Sequence, residues 1–250
     1  MAALFLLFCF NAGANADIIA ELTATNHYMW RGYSNQRNKL ILQPAVTWLA
    51  GETGFASTVW FNVATLGRER YEVGSDTYEP DKQYDEMDLF LTYTRSLSDQ
   101  IDIIAGFFHL SYFNREGYWD TYTTTHELFL SGSWTKSRIR LSPTIYYDIN
   151  PNGGAGAYYH ARADYSIPVE KSEGEPVTIH LSADIGYMDQ QWRADPGFSD
   201  ANFMLGLSIL DGRFTAKPGI FWTYTFEDPY VNEQWNYRVL LTLSRVFSQP

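Results

Sequence analysis

Two residues of the segment "HLSYFN", His109 and Ser111, could together carry out nucleophilic chemistry. A histidine that accepts the proton of a neighbouring serine hydroxyl turns that serine into a nucleophile. Because the two residues are two positions apart, their side chains share one face if the segment is a β-strand. What this pair can do therefore depends on the element that holds it and on what that face meets.

Charged residues of both signs also recur inside segments that are otherwise apolar and aromatic. The first is Arg31, which follows Tyr28, Met29 and Trp30 in "HYMWRGYSN". An unpaired buried guanidinium is costly, so such a charge must meet water or a carboxylate. We predict that charged residues line a polar interior, together with Glu21 and Asp148: Arg31, Lys39, Glu86, Asp88, Glu127, Arg140, Arg162, Asp164, Asp184, Lys217 and Arg238.

The spacing of the apolar residues indicates which elements hold these side chains. From Ala20 onward, apolar and polar residues alternate with a period of two, and the same pattern returns along the whole chain. Such alternation is typical of β-strands. About twelve segments have this pattern, most of them ten or more residues long, and none has a convincing helical period.

Strand length, loop length and aromatic residues together favour a barrel that crosses a membrane. Strands of soluble proteins run ~5–6 residues, whereas a tilted transmembrane strand needs ~9–11. Short connections such as "GETG" and "DGR" alternate with longer polar ones, although one on the short side, "PVEKSEGEP", is longer. That asymmetry is expected when both termini are periplasmic. The sequence therefore predicts an all-β fold, a transmembrane antiparallel up-and-down β-barrel.

Aromatic residues gather at the predicted strand ends, as they do at the two interfaces of a bilayer. The alternation in the first strand places Tyr28 and Trp30 on the lipid side of the outer rim, facing the headgroups. Arg31 is then directed into the lumen, and Gly32 allows a tight turn into the second strand.

The first sixteen residues differ from the rest of the chain. "MAALFLLFCFNAGANA" is an apolar run that ends in an Ala-x-Ala cleavage pattern, which is typical of a secretory signal peptide. We expect a signal peptide over residues 1–16 and the barrel over 17–250. The one cysteine, Cys9, lies in the predicted signal peptide, so no disulfide and no cysteine metal site is expected in the barrel.

Five segments carry a resemblance to a known family. "YMWRGYS", "LILQPAVTW" and "TGFASTVWFNV" resemble the opening of the TorF family of proteobacterial porins, and "YDEMDLFLTYTRSLSDQIDIIAGF" and "YYHARADYSIPV" resemble its later parts. The chain differs from that family in a long acidic insertion near residues 68–82. The resemblance implies an outer-membrane barrel with a role in transport.

The mixed charge of the interior leaves more than one role open. The charges could border a narrow pathway for small hydrophilic solutes, which is the reading we favour, or they could form a salt-bridged plug. Twelve strands enclose more room than eight but far less than the sixteen of a large porin. A barrel that only displays loops, such as "REGYWDTY" or "QQWRADPG", to a partner or glycan is a further alternative.

The expected partners follow from the same reading. They are outer-membrane lipid of a Gram-negative bacterium, the barrel-insertion machinery and small hydrophilic solutes. The formal net charge of −11 argues against nucleic acid, which would select a basic surface. We expect no cofactor and no metal, since no EF-hand spacing is present.

The alternative functional class is an enzyme. Outer-membrane phospholipases have a similar strand number and a His-x-Ser pair on one strand, and "HLSYFN" resembles them in His109 and Ser111. Those enzymes have Asn-Gly after the serine, where this chain has Tyr-Phe. A lipid hydrolase needs its site against lipid, whereas the alternation assigned here directs both side chains into the lumen. The sequence therefore predicts a protein without enzymatic activity.

Overall fold

The computed structural model describes residues 16–66, 71–73, 76–78, 85–113, 119–150, 156–169, 177–190, 195–211, 213–226 and 235–248. Within these ranges, side chains are not described for residues 33–39, 64–66, 71–73, 76–78, 112–113, 119–123, 211 and 248. Apart from Ala16, the predicted signal peptide lies outside the described residues. The acidic insertion is described only for the backbone of residues 71–73 and 76–78.

The described residues form β-strands joined by turns. The strands are β1 (Asp17–Trp30), β2 (Tyr33–Leu49), β3 (Phe55–Leu66), β4 (Tyr71–Val73), β5 (Asp76–Tyr78), β6 (Asp85–Ser98), β7 (Ile101–Phe113), β8 (Trp119–Lys136), β9 (Ile139–Asp148), β10 (Ala157–Val169), β11 (Val177–Asp189), β12 (Gly197–Asp211), β13 (Phe214–Thr225) and β14 (Trp235–Ser248). One 3-10 turn, Gly51–Thr53, joins β2 to β3. Across the described ranges, no helix has the length and apolar character needed to span a bilayer.

Twelve of the described strands close into one antiparallel barrel. Each pairs with its neighbours in chain order, and the ring closes where β1 pairs with β14, from Asp17 opposite Ser248 to Thr25 opposite Leu240. The predicted all-β up-and-down barrel of about twelve strands is therefore confirmed. Among the described strands, β4 and β5 pair with each other and stand outside the barrel sheet, as a small hairpin between β3 and β6 where the sequence pattern predicted a loop.

The outer face of the barrel is apolar, as the lipid-facing surface of a transmembrane barrel is. Large apolar side chains on alternate strand positions are exposed there, among them Val46, Leu91, Leu128, Leu130, Leu205 and Val239. The intervening positions carry hydroxyl, amide and charged side chains that hydrogen-bond to one another across neighbouring strands, such as Thr47 with Thr58 and Gln43 with Asn62. The period of two thus separates a lipid face from a polar interior.

The two ends of the barrel differ. The turn end carries Asp17, Ser248 and the short connections at 51–54, 99–100 and 137–138. The loop end carries the connections that follow β3, β7, β9, β11 and β13, together with the β1–β2 turn. Each end bears aromatic residues on its outer face. Phe55 and Tyr93 pack at 4.8 Å at the turn end, and a series of ring contacts runs along the loop end through Tyr159, Tyr187, Phe198, Phe226, Tyr224 and Trp235.

The prediction that Tyr28 and Trp30 face the headgroups is wrong. Tyr28 is 6% exposed, and its hydroxyl donates to Glu86 Oε1 at 3.1 Å inside the barrel. The Trp30 ring lies against the guanidinium of Arg31, with the guanidinium carbon 4.3 Å from the ring centroid. The register of the β1–β2 ladder shifts between Thr25 and His27 and again between Tyr28 and Met29, so the strict period of two is interrupted in this part of β1. Irregularities of this kind redirect side chains away from the face that simple alternation assigns to them.

Candidate functional site

The β1–β2 turn folds inward over the mouth of the barrel at the loop end. Arg31 and Gly32 both have positive φ, 51° and 87°, as in the two-residue hairpin turns that match the strand twist. The Gly32 carbonyl accepts a hydrogen bond from Thr225 Oγ1 at 3.2 Å, and a Cβ on Gly32 would lie 2.9 Å from the Ser199 carbonyl oxygen. Since Ser199 and Thr225 belong to β12 and β13, the turn reaches past β14 to contact them.

This inward fold carries Arg31 into the centre of the mouth. Its guanidinium donates two parallel hydrogen bonds to Glu127 of β8, from Nη1 to Oε1 at 2.8 Å and from Nη2 to Oε2 at 2.6 Å. The side chains are 6% and 0% exposed. The guanidinium carbon also lies 4.5 Å from the ring centroids of Tyr146 and Tyr158. In the ring of strands β8 lies on the opposite side from β1, so the ion pair crosses the lumen.

Further carboxylates surround this pair in the same layer of the interior. Glu86, Asp88 and Asp148 are 1%, 4% and 2% exposed, and Asp148 accepts a hydrogen bond from Thr125 Oγ1 at 2.8 Å. Asp200 is 2% exposed and accepts from Tyr158 Oη at 3.2 Å. One oxygen of each β6 carboxylate, Glu86 Oε2 and Asp88 Oδ1, is buried without a hydrogen-bond partner among the described residues. We call this layer, with Arg31 at its centre, the constriction.

Between the constriction and the turn end the interior is more open. Arg162 binds Asp164 through Nε at 2.9 Å, and its Nη1 lies 4.0 Å from Asp184, which His160 Nε2 approaches to 3.3 Å. The side chains of Arg162 and Asp164 are 32% and 28% exposed. Nearer the turn end, Lys217 Nζ lies 3.7 Å from Glu21 Oε1, with exposures of 48% and 33%. We call this wetter half the vestibule.

The charged residues singled out from the sequence thus divide between the two regions. Arg31, Glu86, Asp88 and Glu127 meet in the constriction, while Arg162, Asp164, Asp184 and Lys217 lie in the vestibule. Arg140 is exposed and stands opposite Asp164 in the β9–β10 ladder. The Arg238 guanidinium lies 4.4 Å from the Phe221 ring centroid, and the Lys39 side chain lies outside the described residues.

Sequence reasoning missed three members of the constriction, Tyr146, Tyr158 and Asp200. Each occupies an inward position of its strand. Tyr147 and Tyr159, which directly follow the two tyrosines, and Phe203, three positions after Asp200, lie on the exposed apolar face. Alternation could have placed the two tyrosines inside. It could not have shown that they stack on Arg31, because that contact joins strands far apart in the chain.

A second cluster lies on the outside of the barrel, near the loop end. Ser111 Oγ is 2.7 Å from His109 Nε2, and His109 Nδ1 is 2.9 Å from Nδ1 of His126, which stands directly opposite on β8. The two imidazole centroids are 4.7 Å apart, with ring planes inclined by 21°. We call these three side chains the outer triad.

The prediction that His109 and Ser111 face the lumen is therefore wrong. In the β7–β8 ladder, which runs without a shift from Ile101 to Leu110, His109 shares its face with Ile101 and Ile103, which are 42% and 38% exposed on the lipid side. The inward positions of β7 are occupied by Phe108 and Leu110, which are 3% and 0% exposed. Because β7 is apolar on both faces, its sequence pattern did not reveal which face is outside.

The described residues contain no group of three or more His, Cys, Asp or Glu side chains placed to hold a metal ion.

Comparison with known proteins identifies the fold. No family model and no curated protein sequence matches the chain. Among solved structures, the KdgM porin is similar with a TM-score of 0.56 and 10% identity, over 92% of this chain and 99% of that one. LpxR from Salmonella typhimurium is similar with a TM-score of 0.52 and 6% identity, over 92% and 100%. The NanC porin has a TM-score of 0.46 and 13% identity. At these identities, the first two matches establish a shared barrel fold.

Proposed function

We propose that this barrel is a narrow channel for small hydrophilic solutes in the outer membrane of a Gram-negative bacterium. The observation that carries this proposal is the polar interior, which runs from the exposed charges of the vestibule to the ion pair of the constriction. A barrel needing only stability could fill its interior with apolar side chains at less desolvation cost. The similarity in fold to the KdgM porin is compatible with this role.

The vestibule would admit solutes from the turn end. Its charges are partly exposed and of both signs, so hydrated solutes of either charge can enter it without losing their water. We propose that the pathway is lined there by Arg140, Arg162, Asp164, Asp184, Lys217 and Arg238, with Lys39 assigned from its sequence position alone.

The constriction would set selectivity. Arg31 pairs there with Glu127, and Glu86, Asp88 and Asp200 are buried in the same layer, so that the guanidinium offsets part of a surplus of negative charge. Rings of carboxylates favour cations in pores, and a central guanidinium opposes this preference. We therefore propose a channel of weak selectivity whose cation preference is limited by Arg31.

A barrel that does not conduct is the second candidate, and one observation favours it. The Glu127 side chain is 0% exposed and the inward Leu110 is likewise inaccessible, so the constriction is tightly filled. In that case the ion pair is a structural plug, and the loops of the loop end would be the functional surface.

Planar-bilayer recordings in a KCl gradient separate the two candidates. We expect the wild-type barrel to give stepwise conductance and the Arg31→Ala variant to shift the reversal potential toward cation permeation. Arg245→Ala is the matched control, because Arg245 stacks on Phe214 and Phe247 on the outer face. It should leave the reversal potential unchanged. Absence of conductance in the folded wild type and the folded Arg31→Ala barrel would leave the plug as the function of this interior.

Two further assignments belong to the same proposal. Membership of the TorF family rests on the segments "YMWRGYS", "LILQPAVTW" and "TGFASTVWFNV". Insertion by the barrel-assembly machinery, with the loop end outside the cell, follows from the short connections of the turn end and from β14, whose Val239, Leu241, Leu243 and Phe247 face lipid.

A further inference from the structure

We propose that the outer triad is a hydrolytic site for acyl esters of membrane lipids, with Ser111 as nucleophile, His109 as general base and His126 as the residue that positions His109. The proposal concerns the lipid face and is independent of whether the lumen conducts. It requires that the three side chains face the membrane, that their hydrogen bonds suit proton transfer, and that they lie at the depth of an ester group.

The lipid-side position follows from unbroken ladders. On β7, Ile101 to Leu110 pair with β8 from Trp134 to Thr125 without a shift, and Ser111 stands opposite Met87 of β6. His126 shares its face with Leu128 and Leu130, which are 50% and 53% exposed. The period of two therefore places all three side chains of the outer triad on the apolar outer surface.

The hydrogen bonds form a continuous relay. Two sets of histidine tautomers satisfy both contacts, and in one of them Ser111 Oγ–H donates to His109 Nε2 while His109 Nδ1–H donates to His126 Nδ1. In that set His109 presents its free lone pair to the serine proton. His126 Nδ1 accepts from the imidazole of His109 and would continue to do so after His109 has taken up a proton. This is the geometry of a nucleophile, a base and a residue that orients the base.

The depth also suits a lipid ester. His109 lies eight residues beyond Ile101, which begins β7 at the turn end. At ~3.4 Å per residue and a tilt of ~40°, this places His109 roughly 20 Å from the turn end along the barrel axis. The apolar band of such a barrel is ~25 Å tall. With the apolar band starting at the turn end, the outer triad lies roughly 5 Å below its upper edge, within reach of the ester carbonyls beneath the headgroups.

The surroundings would bind an acyl chain rather than a polar substrate. Leu89 stands opposite His109 on β6, and the Phe107 ring lies 6.0 Å from the imidazole of His126, with Leu128 exposed beyond it. Ser111 itself is 4% exposed, so an ester reaches its hydroxyl through a local movement of the rim.

The chemistry balances with water as the second substrate. Ser111 Oγ attacks the ester carbonyl carbon while its proton passes to His109 Nε2, giving a tetrahedral intermediate. This collapses as the C–O bond to the alcohol breaks, and His109 returns the proton to the departing alkoxide. Water then attacks the acyl-serine with His109 as base, which releases a fatty acid and restores Ser111.

The test measures fatty acid release from vesicles of phosphatidylethanolamine and phosphatidylglycerol, and separately from lipid A, by the purified full-length barrel. A fluorophosphonate probe reports the activated serine directly. We expect release from at least one of the two lipids and labelling of the wild type. In Ser111→Ala and His109→Gln, release should fall ~10²–10⁴-fold. Ser131→Ala, which changes a serine inside the lumen, should keep both signals.

The role of His126 needs a readout of its own. In His126→Asn the side-chain oxygen can still accept from His109 Nδ1–H, so activity should stay within about tenfold of wild type, whereas His126→Phe should lose it. The heat-dependent gel mobility of each variant reports whether the barrel has folded. The proposal is overturned if the folded wild type hydrolyses neither lipid, or if phosphonate labelling survives in Ser111→Ala.

Discussion

Arg31 of the β1–β2 turn and Glu127 of β8 face each other across the barrel through two hydrogen bonds of 2.8 and 2.6 Å. They are separated by ninety-six residues in sequence and lie on opposite sides of the ring of strands. The pair is buried, and it anchors the inward-folded turn to the far wall. This relationship changes what is expected of Arg31, because a wet rim charge would contribute little to stability.

Arg31→Ala should lower the free energy of unfolding by about 3–5 kcal/mol, because it leaves the buried Glu127 carboxylate without its cation. Denaturant titration in phospholipid vesicles, followed by tryptophan fluorescence and gel mobility, measures the change. The double variant Arg31→Ala with Glu127→Ala should recover part of the loss, since it removes the orphaned charge. Additive effects of the two single changes would contradict a direct interaction.

Gly32→Ala should destabilise the turn by ~1–3 kcal/mol, because a residue with a Cβ is strained at φ 87° and the new atom would lie 2.9 Å from the Ser199 carbonyl. The matched control is Gly132→Ala in β8, where the nearest atom to a new Cβ is Pro143 Cγ at 4.0 Å. That variant should be neutral or slightly stabilising. If the two variants lost the same free energy of unfolding, the inward fold of the turn would not require a glycine at position 32.

Leu91→Arg should cost ~2–4 kcal/mol, because it places a charge on the lipid face near the middle of β6. Thr92→Arg introduces the same side chain one residue later, toward the polar interior, and should be far milder. The two variants are compared by their efficiency of folding into vesicles and by the denaturant concentration at the unfolding midpoint. Similar tolerance at both positions would contradict the assignment of the faces.

Tyr28→Phe should cost ~1–3 kcal/mol, because it removes the 3.1 Å hydrogen bond to Glu86, whose second oxygen already lacks a partner among the described residues. Tyr237→Phe is the control, since Tyr237 is 67% exposed on the outer face and should change stability by less than about 0.5 kcal/mol. If neither change altered the free energy of unfolding, the buried hydrogen bond would be contradicted, and Tyr28 would lie at the headgroups as the alternation in the sequence suggested.

The polar interior was accessible to sequence reasoning where a strand is amphipathic. Asp164 and Asp184 lie on strands whose other face is plainly apolar, so alternation alone assigns them to the inside. The same reasoning failed for His109, because Phe107, Phe108 and Leu110 give β7 apolar residues on both faces. It failed for Tyr28 because two register shifts between β1 and β2, at Thr25/His27 and at Tyr28/Met29, interrupt the alternation there.

The sequence by itself determined the fold class, the approximate number of strands and the polarity of most strand faces. These properties depend on the period and length of local segments, and period-two alternation over ten or more residues has few structural solutions. Only the tertiary structure decided that Arg31 meets Glu127, that the first turn closes over the mouth, and that Ser111, His109 and His126 meet on the lipid side. Contacts between distant strands depend on bulges, register and barrel closure, which are set by the whole sheet rather than by any one segment.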